Sequence, residues 1–555
     1  MSETHFEVIV LGTGLTESIT AAALSKAGFK VAHLDENPYY GGDEASLTLD
    51  ELAQWADERT LSSSASEPSR YAAAQRAKFR SVSRSGSVLP NSRQYSLSLS
   101  PSVIPSNGPA TSSLIGSGVS RYGGYKLLER IAVFDRLGKV RNVPGSKEDV
   151  FKSKDLSLVD KRRLMRFLMF ASGEFEGKPE LAGNETTPFP DFLRNKFSLK
   201  QDVIDAITYA LAFCTSSFDP TLPALHRIRR YLLSSGRYGA SPFLVGQYGG
   251  AGEIAQGFCR ASAVHGGVYI LGRKILSITH IELSSPPDGT EPAFSLQLDD
   301  LEDRLTADLI ISSPDYVSPE LRSIAGLLPP DTLDASQGTS SVARCIAIFD
   351  GPVIFPTSPS QQTLAGSEDP SLTSADADLP VESDAEPQSK VDTAVLVFPP
   401  GSLPGASATA SATVLLTGEG TMSTPAGKCI AYISMPIDSQ DSTPCSAETL
   451  LKPYLQATLS SVTTISTPPE ALFSVFYTIN GHRELYPRLS TADSSSRVLV
   501  TPPSSPLLPE SMDDAACNAE ALFRHAVHLL RPGQAGTVEG LWPPLENQDE
   551  EEDSW

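Results

Sequence analysis

The chain has few of the residues that build metal centres and disulfide frameworks. Its 555 residues include six cysteines and eight histidines. The cysteines lie far apart, without a C-x-x-C pair and without a histidine cluster near any of them. Such spacing supplies neither a zinc site nor a disulfide scaffold. We therefore expect no bound metal, and reduced thiols of the kind found in a reducing compartment.

Basic residues and long apolar runs are also scarce. Lysine and arginine number 44 against 66 aspartates and glutamates, so the net charge is −22. A nucleic-acid partner is not expected, because phosphate binding depends on clustered lysine and arginine. No run reaches the roughly 18 apolar residues of a membrane span, and the N-terminus lacks the basic start and apolar stretch of a signal peptide. These absences predict a cytoplasmic protein.

The acidic residues are concentrated in two segments. Residues 357–390 contain seven acidic residues and one lysine, and residues 546–555 contain six acidic residues, which together account for 12 of the 22 net negative charges. A third polar segment, 57–92, lies in a stretch with thirteen serines between residues 51 and 100. Such segments bury too little apolar surface to offset the entropy of ordering. We predict disordered inserts at 57–92 and 357–390 and an acidic tail at 546–555.

The strongest local pattern lies at the start of the chain. Residues 6–11 (FEVIVL) predict a buried strand, and Gly12 and Gly14 predict a tight turn before a helix. A second strand, 30–34, ends at Asp35, which follows Gly12 by 23 positions. Strand, glycine turn, helix, strand and acid in this order are typical of a dinucleotide-binding unit.

One residue departs from that motif. The third glycine, which lets helix and strand pack closely, would stand at position 17, and this position is Glu17. A carboxylate in the first helical turn complements the helix dipole and repels a pyrophosphate at the same end. Two interpretations remain open from the motif alone. Gly12, Gly14, Glu17 and Asp35 are either the remains of a dinucleotide site on a scaffold without ligand, or part of a functioning FAD site.

The middle of the chain has a different texture. Residues 146–235 show helical spacing and few β-branched runs, which predicts a mainly helical domain. It interrupts an α/β domain formed by residues 1–145 and 236–545, within which 401–426 is rich in Ser, Thr, Ala and Gly. Apolar positions of the helical part, such as Phe167, would either line a lipid groove or simply form its core.

Three blocks of sequence resemble those of the Rab escort protein and GDP-dissociation inhibitor superfamily. The first joins 10–17 (VLGTGLTE) to 37–42 (NPYYGG), the second is 119–122 (VSRY), and the third lies within 238–269 and includes GEIAQGFCR. The resemblance implies a multi-sheet α/β fold like that of FAD oxidoreductases, with an inserted helical domain. It also implies a scaffold that binds GDP-bound Rab GTPases and carries no cofactor.

The resemblance further implies which residues bind the GTPase. Tyr40, Glu253, Arg260 and Ile270 stand at the matching positions. For Glu253 and Arg260 the structural alternative is a local ion pair on one helix. Because they are seven residues apart, they share a helix face but cannot touch directly, which favours outward binding roles. Tyr40 would otherwise be a packed core tyrosine.

Two residues in the helical domain point to the escort branch. Escort proteins contact the Rab geranylgeranyltransferase α/β heterodimer through a Phe and an Arg eleven residues apart, and Phe151 and Arg162 have that spacing. Otherwise Phe151 would be a hydrophobic staple and Arg162 a solvated side chain. The escort reading implies a non-catalytic subunit that binds newly made Rab, presents it to the transferase, and delivers the prenylated product, with its geranylgeranyl lipid, in transient contact with membranes. The alternatives are a Rab GDP-dissociation inhibitor, which recycles Rab, and an FAD-dependent oxidoreductase.

Overall fold

The computed structural model describes residues 4–60, 69–143, 156–281, 293–327, 341–356, 388–437, 445–462, 470–481, 496–534 and 540–542. Phe151, nearly all of the acidic segment 357–390 and the acidic tail 546–555 lie outside these ranges. Over the ranges described, no helix combines the length and apolar character needed to cross a bilayer. The same ranges contain no group of His, Cys, Asp or Glu arranged to hold a metal ion.

The helices fall mainly in the first two thirds of the chain and at its end. They span Leu15–Lys26, Leu49–Thr60, Arg70–Lys78, Pro109–Ser117, Leu158–Ser172, Phe189–Phe197, Gln201–Asp205, Thr221–Ser234, Ala251–Val264, Pro319–Ile324, Ala447–Val462 and Ser511–Leu530. The helix Gln201–Asp205 continues directly into a π-helix, Ala206–Leu211.

The strands are numbered in chain order. They are β1 His5–Leu11, β2 Val31–Asp35, β3 Ser46–Leu47, β4 Phe79–Ser85, β5 Leu97–Ser98, β6 Ile104–Pro105, β7 Tyr125–Leu127, β8 Arg130–Phe134, β9 Val140–Asn142, β10 Phe243–Gly246, β11 Val268–Leu271, β12 Ile275–His280, β13 Phe294–Leu298, β14 Leu305–Ser312, β15 Ser341–Asp350, β16 Val353–Pro356, β17 Gln388–Val391, β18 Thr393–Phe398, β19 Ala412–Thr417, β20 Lys428–Ile437, β21 Phe473–Asn480 and β22 Val498–Val500.

A seven-stranded sheet contains the predicted first unit. Its order is β11-β2-β1-β14-β13-β12, and β22 pairs with the remaining half of β14. The strands β11, β2, β1, β14 and β22 run parallel. The inner strands β2, β1 and β14 are largely buried on both faces and read as apolar runs. Helices Leu15–Lys26, Ala251–Val264 and Ser511–Leu530 share one core on one face. The turn after β1 and the ends of β2 and β11 therefore lie at one edge of the sheet.

An eight-stranded sheet forms the second layer. Its order is β4-β21-β15-β20-β19-β18-β8-β9, and every pair except the parallel β18 and β8 is antiparallel. Alternate residues of its strands point to opposite faces. Cys345 and Ala347 pack with the helix Ala447–Val462 on one face, and Ile346 and Ile348 join the core of the helical region on the other. Small sheets β6-β10-β7, β16-β17 and β3-β5 complete the described pairings.

The helical region between Leu158 and Ser234 is built around aromatic side chains. The Phe167 ring is fully buried and lies edge-on to Phe197, with 5.2 Å between ring centroids. Phe170 and Phe192 belong to the same core. These residues form the interior of the helical region, which agrees with the interpretation that such apolar positions form its core.

The prediction of a disordered insert at 57–92 is wrong for the part that the structure describes. Residues 57–60 end the helix Leu49–Thr60, Arg70–Lys78 is a helix, and β4 is the edge strand of the eight-stranded sheet. The serines and arginines of β4 suggest disorder by composition, but β4 is an edge strand. Edge strands expose polar side chains, which prevent pairing with a further strand.

We predict that Lys78 ties this segment to the fold. Its ammonium lies 2.8 Å from Asp315 Oδ2 and also contacts Asp43. Lys78→Met leaves the largely buried Asp315 carboxylate without its cation and should lower the free energy of unfolding by about 3 kcal/mol in urea denaturation. Arg76→Met, at an exposed position of the same helix, should change it by less than about 0.5 kcal/mol. Equal effects of the two changes would contradict the assignment.

Candidate functional site

The glycine turn closes on its own acid. Gly12 has φ of +96°, and a Cβ at this position would lie 2.9 Å from Ser313 Oγ, so a side chain is excluded twice. Asp35, at the end of β2, accepts hydrogen bonds from Thr13 N at 2.8 Å, Thr13 Oγ1 at 2.6 Å and Tyr316 Oη at 2.9 Å. Burial raises the pKa of Asp35, and these hydrogen bonds oppose the shift. The structure thus brings Gly12 and Asp35 together, as the motif predicted.

Two glutamates face the beginning of the helix Leu15–Lys26. Glu17 is 5% exposed and accepts a hydrogen bond from Thr501 Oγ1 at 2.6 Å. Glu44 accepts one from the Leu15 backbone N–H at 3.3 Å. Burial raises the pKa of Glu17 to about 7, and burial together with Asp43 and Glu17 raises that of Glu44 to about 8. Protein carboxyls therefore stand where a helix N-terminus would otherwise receive a phosphate group.

A cavity of about 430 Å³ adjoins this turn. Its charged lining is mostly acidic, and consists of Glu17, Asp35, Asp43, Glu44, Asp315 and Asp514 with Lys78 and Arg344. Lys78 already pairs with two of these carboxylates. The residues present do not fit a dinucleotide pyrophosphate, because Glu17 and Glu44 stand at the helix N-terminus where its phosphate groups would lie, and Lys78 is already engaged.

A buried hydrogen-bonded chain leads from the turn to Tyr40. His33 Nε2 lies 2.5 Å from the Gly12 carbonyl oxygen, and His33 Nδ1 lies 3.2 Å from Tyr269 Oη. Burial lowers the pKa of His33 to about 4, so the ring is neutral at physiological pH. Since a carbonyl only accepts, Nε2 carries the proton and Nδ1 accepts from the Tyr269 hydroxyl. The Tyr269 ring meets Tyr40 edge-on, with 5.9 Å between centroids.

The helix Ala251–Val264 carries two of the predicted binding residues. Glu253 is half-buried in its first turn and Arg260 is exposed two turns later. Burial raises the pKa of Glu253. A Cβ at Gly252 would overlap the Ser46 backbone nitrogen, so only glycine allows this end of the helix to pack so closely. The same close approach places the Tyr40–Gly41 turn against the helix, since a Cβ at Gly41 would lie 3.3 Å from Gly252 Cα.

A residue without an assigned role lies under Arg260. The Arg260 guanidinium carbon is 4.8 Å from the centroid of the Tyr122 ring, which is the geometry of a cation–π contact. Tyr122 is 57% exposed and follows Val119, which is buried in the core beneath the same helix. Tyr122 ends the VSRY block. Its exposure marks it as a candidate binding residue, and this exposure cannot be read from the sequence alone. We refer to Tyr40, Tyr122, Glu253 and Arg260 as the docking surface.

Ile270 is not brought next to the Tyr40 ring. It follows Tyr269 on β11, and successive residues of a strand point to opposite faces. Ile270 is half-buried and packs against the core on the other face of the seven-stranded sheet. The structure therefore places three of the four predicted GTPase-binding residues, Tyr40, Glu253 and Arg260, around one helix, and the fourth apart from them.

The predicted transferase contact lies in the helical region. Arg162 is exposed on the helix Leu158–Ser172, and Phe151 falls outside the described residues. Leu158 and Val159, in the first turn of this helix, are 84% and 58% exposed. An apolar cavity of about 150 Å³ lies between the same helix, the π-helix Ala206–Leu211 and the β8–β9 hairpin. Its apolar lining includes Val133, Val143, Leu156, Leu164, Leu168, Val203, Ile207 and Leu211.

Solved structures share this architecture. Rab GDI from Plasmodium falciparum superposes with a TM-score of 0.59 at 21% identity, over 94% of this chain and 98% of that one. An oxidoreductase from Methanosarcina mazei superposes with a TM-score of 0.51 at 15% identity, over 92% of this chain and 98% of that one. These likenesses show the fold, a multi-sheet α/β architecture of the type found in GDI and in oxidoreductases, and so confirm the predicted fold class.

Sequence relatives carry two names. "Rab proteins geranylgeranyltransferase component A" of Saccharomyces cerevisiae is 34% identical over 49% of this chain and 44% of its own length, and that of Drosophila melanogaster is 34% identical over 49% and 53%. "Rab GDP dissociation inhibitor beta" of Rattus norvegicus is 34% identical over 49% and 57%. The matched region spans about half the length of each of these relatives.

The family itself is identified by a longer match. The model of the family described as "GDI: GDP dissociation inhibitor" matches residues 1–363, which include the glycine turn, the helical region and the docking surface. The chain belongs to the GDP dissociation inhibitor family.

Proposed function

We propose that this protein is a Rab escort protein. It binds newly made, GDP-bound Rab GTPases, presents them to the Rab geranylgeranyltransferase α/β heterodimer and delivers the prenylated product to membranes. The observation that carries the proposal is the docking surface. Residues separated by more than 200 positions, Tyr40 and Arg260, are brought to one helix, and their side chains are turned at least partly outward.

The composition of the docking surface suits a protein partner. Tyrosine and arginine are enriched where protein interfaces concentrate their binding energy. Arg260 is held over the Tyr122 ring, which limits its rotamers before binding and lowers the entropy lost on association. The half-buried Glu253 supplies an opposite charge two turns away on the same helix. Such alternation of charge selects the orientation of a partner.

The choice of the escort branch rests on the helical region. Relatives named for transferase component A and for GDP dissociation inhibitor are equally identical to this chain, at 34%. Arg162 is exposed, and the exposed Leu158 and Val159 stand one turn before it. An arginine beside exposed apolar side chains has the character of an interface anchor. A GDP-dissociation inhibitor, which recycles Rab without contacting the transferase, is the alternative that the rat relative supports.

A lipid site follows from the same physics. Each buried methylene contributes about 0.8 kcal/mol, so a geranylgeranyl chain exposed to water is costly and must be covered during transfer. The apolar cavity beside Leu164 and Leu168 opens on the helix that carries Arg162. We place the first part of the geranylgeranyl chain there, close to the proposed transferase contact. The protein would then act in the cytosol and touch membranes only when it releases its cargo.

The protein would work without a cofactor and without catalysing a reaction. Glu17 and Glu44 cover the helix N-terminus, and Asp35 is engaged by Thr13 and Tyr316. These contacts support a scaffold whose dinucleotide site has been lost, and catalysis would belong to the separate transferase. Stoichiometric flavin in the purified protein would overturn this part of the proposal and support the oxidoreductase alternative.

The docking surface predicts the first binding experiment. Tyr40→Ala and Arg260→Ala should each weaken binding of a GDP-loaded, unprenylated Rab at least tenfold, or about 1.4 kcal/mol, in isothermal titration calorimetry. Arg93→Ala, at an exposed position outside the docking surface, should bind like the wild type. If both docking-surface variants kept wild-type affinity, the site assignment would be wrong.

The helical region predicts a separate loss. Phe151→Ala and Arg162→Ala should reduce capture of the transferase heterodimer in a pull-down while Rab affinity stays unchanged, because Arg162 lies on a different helix from Glu253 and Arg260. Arg163→Ala is the matched control, since its guanidinium lies 4.0 Å from Asp160 on the same helix. A wild-type protein that binds Rab but captures no transferase would select the inhibitor alternative.

The buried carboxyls predict how stability depends on pH. A glutamate in the unfolded chain has a pKa near 4.3, whereas Glu17 and Glu44 titrate at about 7 and about 8 in the fold. Between the unfolded and the folded pKa of each glutamate, the native state binds more protons than the unfolded state. The free energy of unfolding therefore falls as pH rises, by roughly 4 kcal/mol for Glu17 alone. The double variant Glu17→Gln, Glu44→Gln should flatten this fall in urea denaturation between about pH 5 and 8. Glu174→Gln, an exposed control, should keep the wild-type slope.

A further inference from the structure

Two exposed apolar side chains stand on backbone of unusual conformation. Tyr248 has φ of +52° and is 43% exposed, and Met422 has φ of +53° and is 51% exposed. Left-handed backbone is uncommon for residues other than glycine and costs of order 1 kcal/mol or more. Such strain persists only where surrounding contacts enforce it, and it concentrates at binding and switching sites.

The contacts that enforce it join two loops far apart in the sequence. The Tyr248 backbone N–H donates to the Thr421 carbonyl at 3.0 Å, and the Gly249 N–H donates to Ser423 Oγ at 3.0 Å. Gln247 Nε2 donates to the Gly420 carbonyl at 3.2 Å. Three consecutive residues of one loop are therefore bonded to the turn that carries Met422.

That turn is itself fixed from behind. Asp392 accepts a hydrogen bond from the Gly420 N–H at 3.1 Å, and its other carboxylate oxygen lies 2.7 Å from Lys126 Nζ. Thr421 and Ser423, on either side of Met422, are 1% and 3% exposed. Met422 is thus directed outward between two buried neighbours, and it lies in a turn that hydrogen bonds hold in place.

The pair continues the docking surface. The Gln247 N–H donates to the Gly124 carbonyl at 2.9 Å, which joins the loop of Tyr248 to the loop of Tyr122. In the other direction along the chain, Tyr248 lies five residues before Glu253, which is in the first turn of the helix Ala251–Val264. The exposed Tyr248 and Met422 therefore stand on loops that are bonded to the elements carrying the docking surface.

We propose that Tyr248 and Met422 form an apolar extension of the docking surface that receives an apolar patch on the GDP-bound GTPase. The inference rests on the proposed function, because the occupant is the same partner that contacts Tyr40 and Arg260. Tyrosine supplies a large, rigid contact and methionine adapts to an uneven apolar surface. Charged groups at the neighbouring docking surface set orientation, and the apolar extension slows dissociation.

Asparagine is the substitution that separates binding from folding. It removes the apolar side chain and tolerates the left-handed conformation better than other residues, so the backbone of each loop is retained. Tyr248→Asn and Met422→Asn should each weaken binding of GDP-loaded, unprenylated Rab about 5- to 30-fold in biolayer interferometry, chiefly through faster dissociation. Leu276→Asn, at a 61% exposed leucine of β12, is the matched control and should bind like the wild type.

Each other outcome overturns the inference in a recognisable way. If Arg260→Ala loses Rab while both asparagine variants bind normally, the extension is wrong and the proposed function stands. If the wild-type protein binds no Rab, both fail together. If the asparagine variants keep Rab but lose capture of the transferase, or lose only binding to vesicles of phosphatidylcholine and phosphatidylserine, the occupant is the transferase or a membrane and the inference is again overturned. Unchanged urea midpoints for both variants exclude unfolding as the cause of any loss.

Discussion

The close packing of one helix against the first βαβ unit determines the geometry of the docking surface. At Gly252 there is no room for a side chain, and the helix Ala251–Val264 comes within backbone contact of Ser46. A bulkier residue would displace the start of the helix from the Tyr40–Gly41 turn. Because Glu253 and Arg260 are rigidly spaced along the helix, both would move away from Tyr40 with it. The absence of a side chain at Gly252 therefore sets the distances between Tyr40, Glu253 and Arg260.

The second consequence of this packing concerns the edge of the parallel sheet. In open α/β sheets, ligands bind outside the carboxyl ends of the strands. Here the groups that line that edge are engaged with the protein itself, since Glu17 and Glu44 face the helix N-terminus and Lys78 joins Asp43 to Asp315. The docking surface is displaced to the outer side of the next helix.

Features that depend on neighbouring residues can be predicted from the sequence, whereas features that depend on contacts between distant residues cannot. The sequence predicts the first strand at 6–11 and the structure has it at His5–Leu11, because an apolar run before a glycine turn is a local signal. The fold class and the family were also predicted correctly, from short blocks that keep their order. The ordered part of 57–92 was missed because Lys78 is held by Asp43 and Asp315, and the latter is 237 residues away. Composition carries no trace of such a contact.

Met422 illustrates the same limit at the surface. The segment 401–426 reads as a low-complexity run, yet Ala412–Thr417 is a strand in the middle of the eight-stranded sheet. Its apolar residues fill the cores on both faces of the sheet, Val414 and Leu416 on one face and Leu415 on the other. The turn that follows is then fixed by Asp392 and bonded to the loop of Tyr248. The exposed Met422 can be recognised as a candidate binding residue only from the contact between these two loops.

The glycine turn has a structural use even with a carboxyl in place of a phosphate. The Gly12 carbonyl accepts the Nε2 proton of His33, which fixes the ring so that Nδ1 accepts from Tyr269. Tyr269 in turn supports the edge of Tyr40. His33 stays neutral at physiological pH because its pKa is about 4, so this chain of contacts does not change with ordinary variations in acidity. A turn of different shape would move the Gly12 carbonyl, release the His33 ring and leave Tyr40 without its support. The motif therefore positions a residue of the docking surface, and this structural role does not depend on a bound dinucleotide.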